Sequence, residues 1–109
     1  NLLNFLEDAR RRGKAVYGLG AAAKGSSLLS FLGVDSSLMK GVADSSVLKI
    51  GSYMPGTDIP VISKEDLKKI QPDIIIILAW NIFSELSNEI DWFDGELLSS
   101  QPKIWSYVK

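Results

Sequence analysis

The chain of 109 residues contains no cysteine and no histidine. The first absence excludes disulfides, a thiolate nucleophile and a zinc knuckle. The second excludes a Ser-His-Asp triad and removes the commonest metal ligand. Acid–base chemistry near neutral pH would fall to a perturbed Lys, Tyr or carboxylate. A domain this poor in catalytic side chains points to binding rather than reaction. An excess of one charge is missing too: 12 basic residues stand against 13 acidic ones, a net charge of -1. No basic stripe tracks a nucleic-acid backbone and no Lys/Arg run marks a membrane surface, so neither is expected as a partner. The longest apolar run, Ile74 to Trp80, is far too short to cross a bilayer. The opening Asn1-Leu2-Leu3-Asn4 lacks the basic flank and cleavage site of a signal peptide. With no cysteine, a cytoplasmic protein is expected. There is no internal repeat and no low-complexity tract.

What is present suits one core. The apolar share is 46% and the charged share 23%, the balance of a single globular domain spanning residues 1–109. Leu2, Phe5, Leu6 and Ala9 recur at helical spacing and predict a helix over 2–12, already under way at residue 1. That start reads as a piece of a longer protein. Arg10-Arg11-Arg12-Gly13 ends the helix: cations suit its last turn and Gly suits the position after it. A solvated turn is the simpler reading of the three arginines, a phosphate patch the alternative.

Lys14 to Leu19 predicts a short strand broken by Gly18 to Gly20, and residues 22–32 a helix closed by Gly33. Gly41 to Asp44 predicts a second strand. A Gly- and Pro-rich loop runs from Lys49 to Pro60, followed by a brief strand at Val61-Ile62. Ser63-Lys64-Glu65-Asp66 has capping-box spacing and starts a helix that Pro72 stops. Asp73 to Trp80 is the strongest strand, and Ile74-Ile75-Ile76-Ile77-Leu78 has no polar alternation. Such a strand is buried on both faces, as in the centre of a parallel sheet. Residues 82–91 predict a helix carrying Ile82, Leu86 and Ile90, and Lys103 to Val108 a final strand. This order predicts a three-layer, doubly wound α/β fold. Its sheet would be mainly parallel, with four or five strands and helices on both faces.

The turn after the first strand carries the clearest chemistry. Gly18, Gly20 and Ala23 match G-x-G-x-x-A. In that pattern the first Gly permits the turn and the second lets an anion approach the backbone. The small third residue lets helix and strand pack closely. Amides of Gly20, Ala21 and Ala22, with Lys24, Gly25 and Ser26, would then face a phosphate at the helix start. Lys24 opposes the helix dipole there, which suits an anionic partner. The alternative is a turn shaped by glycine alone. Asp44, ending the second strand, is placed either to accept a ribose diol or to cap its own turn. Lys49 and the loop Pro55-Gly56-Thr57-Asp58 should lie near the carboxyl edge of the sheet, with Gly56 at positive φ in a type II turn. Trp80 and Asn81 leave the central strand at that edge. Trp80 would stack on a ligand or pack in the core; Asn81 would bind a ligand or cap the next helix.

Three ordered blocks then resemble a known family. Tyr17-Gly18-Leu19-Gly20-Ala21-Ala22-Ala23-Lys24-Gly25-Ser26-Ser27-Leu28-Leu29 is similar to the Y-G-x-x-A-K-G-N-T-L-L stretch of the C-terminal, Rossmann-like domain of S-adenosylmethionine-dependent sugar C-methyltransferases, with one extra small residue. Asp44, Lys49, Gly51 and Pro55-Gly56-Thr57-Asp58-Ile59-Pro60 resemble its D-x-N-P-x-K-x-G and P-G-T-H-I-P stretches. Pro72-Asp73 and Ala79-Trp80-Asn81 resemble its R-P-D and P-W-N stretches. The resemblance implies a domain that binds a nucleotide-linked sugar, or a similar phosphate-bearing small molecule. It implies no catalytic residue and no cofactor of its own. The methyl-donor domain of the same chain, S-adenosylmethionine and a zinc site would belong to the rest of the enzyme. Ser46-Val47 replaces the family's Asn-Pro, Asp58 its His and Ser26 its Asn. If that His or Asn touches the acceptor, these departures alter the acceptor. Two other classes fit the same turn: an NAD- or coenzyme A-binding module of an oxidoreductase or ligase, and a regulatory or interaction domain with a non-catalytic phosphate turn.

Overall fold

The computed structural model describes residues 2–99 and 105–108, without the side chains of Ala23, Lys24 and Trp80 or those of 105–108. Helix α1 spans Leu2–Arg11, strand β1 Val16–Leu19, α2 Ala23–Leu32, β2 Val42–Asp44 and β3 Val61–Ser63. Then come α3 at Lys64–Ile70, β4 at Ile74–Ile77, a 3-10 turn at Trp80–Ile82, α4 at Phe83–Glu89, β5 at Glu96–Ser99 and β6 at Trp105–Val108.

The local signals act as their chemistry dictates. Ser63 caps α3, its side chain accepting from the Asp66 N–H at 3.0 Å. Gly33 ends α2 at φ 72 and its N–H returns to the last turn. Arg11 and Arg12 both pair with Asp8 on the exposed end of α1, which makes them a solvated turn.

The sheet follows the order β3-β2-β1-β4-β5-β6. The first five strands are mutually parallel and β6 runs antiparallel to β5. The predicted α/β class stands, with one strand more than expected. The extra strand is Glu96–Ser99. Leu97 and Leu98 are buried between β4 and β6, but two leucines after Asp94-Gly95 carry neither alternation nor β-branching, and so no strand signal.

β4 organises the layers. Its side chains alternate across the sheet. Ile74, Ile76 and Leu78 join Leu2, Leu6 and Ala9 of α1 and Leu29 of α2 in one core. Ile75 and Ile77 join Leu67 of α3 and Leu86 of α4 in the other. The run without polar alternation is therefore an alternating strand with two apolar customers, one on each face.

The β2–β3 connection contains no helix and closes on itself. Met54 and Ile59 are buried plugs, and the Met54 N–H donates to the Ile59 carbonyl at 2.8 Å. Between them Pro55-Gly56 forms the predicted turn: Thr57 N–H donates to the Met54 carbonyl and Gly56 has φ 75.

Glycine at 20 meets two demands at once. Its φ is 90, and a Cβ there would lie 2.7 Å from the Ala79 Cβ. Gly51 has nearly the same φ, 93, but a Cβ there meets nothing within 4 Å. Gly51→Ala therefore reports the backbone cost alone, about 1–3 kcal/mol. Gly20→Ala should cost more than Gly51→Ala in urea unfolding; equal losses would mean that the turn gives way at Ala79 without penalty.

Candidate functional site

In open doubly wound sheets, ligands bind outside the carboxyl ends of the strands, where the chain reverses its direction of winding. Here that point lies between β1 and β4, whose register pairs Leu19 with Ile77. A cleft of about 370 Å3 opens there. Gly20, Ala21 and Ala22 form its floor after β1, Asp44 and Ser45 come from the end of β2, and Asn81 from the turn after β4. Lys49 reaches in from the β2–β3 loop, and Lys64 and Glu89 form an ion pair at its rim.

Ala21 is held at both of its polar groups. Its N–H donates to Asp44 Oδ1 at 3.0 Å, and its carbonyl accepts from Lys49 Nζ at 2.8 Å. Asp44 Oδ2 also accepts from the Ser46 N–H at 3.0 Å. The capping reading of Asp44 is therefore realised, and the carboxylate braces the turn after β1.

The expected amide cradle differs from the observed one. Gly20 N–H donates to the Ala43 carbonyl, Ala21 N–H to Asp44 and Ala22 N–H to the Gly20 carbonyl. Three consecutive amides are thus committed inside the protein. The glycines also change roles. Gly18 lies within β1, and a Cβ there would sit 3.0 Å from both Leu78 and Val42. It makes room in the core rather than turning the chain. Gly25 provides the close helix–strand approach assigned to Ala23, since its Cβ would meet the Leu78 Cβ at 2.8 Å. The start of α2 itself has Ala22 as N-cap and no side-chain cap.

A second cavity, about 260 Å3, adjoins the first and shares Ala21 and Lys49 with it. Buried Ser26, buried Met54 and Val61, exposed Pro55 and exposed Tyr53 line it. Gly56, Thr57 and Asp58 line a different cavity, beside Ser30 and Gly33 at the far end of α2. Their expected place at the carboxyl edge is corrected by their bonds. Asp58 accepts from the Ser36 N–H and hydroxyl at 2.8 and 2.9 Å, and Gly56 packs on Ser30. Next to them the Ser37 hydroxyl, and then the Ser37 N–H, hold the Asp35 carboxyl below its ordinary range.

Asn81 is exposed in the cleft and does not cap α4, whose N-cap is Ile82 without a side-chain bond. Ile82, expected on the inner face of its helix, is 42% exposed and lines the cleft instead, because the 3-10 turn rotates it outward. The side chains of Lys24 and Trp80 lie outside the described residues. Sequence reasoning missed Lys64 and Glu89. The signal for Lys64 was available: it follows β3 directly, and parallel strands bring all their carboxyl ends to one edge.

A family profile described as the C-methyltransferase C-terminal domain matches residues 1–96. The chain belongs to that family. The C-methyltransferase NovU of Streptomyces niveus is 39% identical to it over 84 residues, which is 76% of this chain and 20% of NovU. The chain thus spans about a fifth of the length of the curated relative it matches. In this C-methyltransferase C-terminal domain, no group of three or more His, Cys, Asp or Glu among the described residues could hold a metal ion. No helix among them is long and apolar enough to cross a membrane.

Asp44→Ala should leave the Ala21 and Ser46 amides without their acceptor and destabilise the domain by about 1–3 kcal/mol. Asp44→Asn, which keeps one carbonyl oxygen, should lose less. Unchanged urea midpoints for both variants would show that the carboxylate is not the brace.

Proposed function

We propose that this domain holds the methyl acceptor, a sugar carried on a nucleotide diphosphate, for an S-adenosylmethionine-dependent C-methyltransferase of the cytoplasm. One observation carries the reading: Lys49, anchored on the Ala21 carbonyl, lies in the wall between two cavities at the switch point of the sheet. An ammonium has three donors and one is used on Ala21, so the same group can bind a phosphate bridging the cavities. Asn81 in the polar cleft suits the hydroxyls of a sugar, with both a donor and an acceptor to offer. Family membership favours this over a nicotinamide or coenzyme A module. The carboxylate that would meet a ribose diol in such a module is already bonded to Ala21 and Ser46.

The methyl donor, bound elsewhere in the full enzyme, would supply an electrophilic methyl carbon. The work of this domain is to hold the acceptor carbon in line with it, a contribution of proximity and orientation. The base that removes the acceptor's proton belongs outside these residues. So does zinc, since a chain without cysteine or histidine offers no thiolate or imidazole ligand.

Calorimetric titration of a nucleotide-sugar panel into the 109-residue chain tests the reading. Binding should be saturable, and Lys49→Ala should weaken it by about 1.5–3 kcal/mol, the range for hydrogen bonds to charged groups. S-adenosylmethionine should show no saturable binding to the same chain. Donor binding, or a panel without a single ligand, would defeat the assignment.

A further inference from the structure

The two cavities that meet at Lys49 differ in chemistry, and each suits a different half of one ligand. The larger one is the more polar of the two: Asp44, Ser45, Asn81 and the Lys64–Glu89 pair share its wall with Ala79, Ile82 and Leu86. The smaller is walled by apolar groups: Met54 and Val61 are buried at its base, and Pro55 and Tyr53 stand at its mouth. Tyr53 is 63% exposed. Its backbone bridges to Pro60, so the ring is carried on a pinned segment rather than a free loop tip. At about 260 Å3, the smaller lobe alone falls short of the size range of small-molecule sites, ~300–1,000 Å3; joined to the larger lobe of about 370 Å3, it forms a site well inside that range.

We infer that the ligand lies across Lys49 in a fixed direction. Its nucleobase enters the Tyr53-Met54-Pro55 lobe, its phosphates lie on Lys49, and its sugar occupies the polar lobe beside Asn81. This inference rests on the nucleotide-sugar reading and adds a direction and a base-recognition element to it. The physical grounds are three. A base presents a flat apolar face, and an aromatic ring at a cavity mouth stacks on it. A sugar needs many hydrogen-bond partners; besides Lys49 and the Tyr53 hydroxyl the smaller lobe has only Ser26 and Ser52 among its polar side chains, whereas the larger has Asp44, Ser45, Lys64, Asn81 and Glu89. A diphosphate separates the two, and the cation shared by both lobes sits at their junction. The reverse direction would bury hydroxyls against Met54 and Val61 and leave the apolar lobe's wall facing polar atoms.

The experiment dissects the ligand. UDP-glucose, ADP-glucose, UMP, AMP and glucose 1-phosphate are titrated into the chain and into the variants Tyr53→Ala and Asn81→Ala. Tyr53→Ala should weaken the nucleotide sugars and the monophosphates by about tenfold, the usual worth of one base–aromatic stack, and leave glucose 1-phosphate unchanged. Asn81→Ala should weaken the nucleotide sugars and glucose 1-phosphate and leave the monophosphates unchanged. As a check independent of the variants' folding, UMP should shift the Ser52 and Tyr53 amide resonances of the unsubstituted chain, and glucose 1-phosphate those of Asn81 and Ile82. If the nucleotide sugars bind but the two patterns are exchanged or merge, the direction is wrong and the nucleotide-sugar reading survives. If the unsubstituted chain binds none of the five, both fall together.

Discussion

The candidate site depends on how Ala21 is held. An acid fixes its N–H and a base fixes its carbonyl. The acid comes from the end of β2, the base from the loop that follows. Through that one residue, the turn after β1 is tied to the neighbouring strand and to the β2–β3 connection. Such charge-assisted bonds are stronger than neutral ones, and here they set the wall that separates the two cavities. Moving Ala21 would move both lobes.

The brace is needed because the rest of the turn is tightly packed. Gly20 stands against Ala79, and Gly18 and Gly25 both press on Leu78. The residues just past β4 are thus the surface on which the turn and the first part of α2 are seated. β4 can serve as that surface because it is covered on both faces by the two cores. Close-packed interiors yield little to added volume, so glycine here reflects the short distance between backbones as much as the turn. A phosphate-binding reading of the same glycines takes them as openings toward solvent. In this domain they face the protein interior, and among the described residues the cations that line the two cavities, Lys49 and Lys64, come from other segments.

The β2–β3 connection shows why a motif can be conspicuous in sequence and still divide in space. Pro55-Gly56-Thr57-Asp58 is contiguous, yet Pro55 faces the apolar cavity while Gly56 to Asp58 turn toward the far end of α2. Met54 and Ile59, both inserted into the core, anchor the two ends of this short loop. With its ends joined by the Met54–Ile59 backbone hydrogen bond, the tip must double back, and its two sides look at different parts of the surface.

Much of the fold was legible in the chain because the relevant forces are local or periodic. The cap at Ser63, the stops at Gly33 and Pro72 and the Pro55-Gly56 turn follow from backbone and side-chain chemistry within a few residues. The isoleucine run of β4 can be buried only on both faces, which implies helices above and below. β5 was not legible, because Leu97 and Leu98 become a strand only through neighbours on both sides. The candidate site was legible in part as a set of segments: parallel strands send the ends of β1, β2 and β4 to one edge, but Gly56 to Asp58, expected there, lie at the far end of α2. Its working parts were not. Whether Asp44 faces a ligand or Ala21, whether the Gly20 and Ala21 amides are free or bonded, and whether Lys49 reaches the turn after β1 depend on distances across 23 to 28 residues of chain. Local preference carries no information about such contacts; the packing of the turn against β4 decides them.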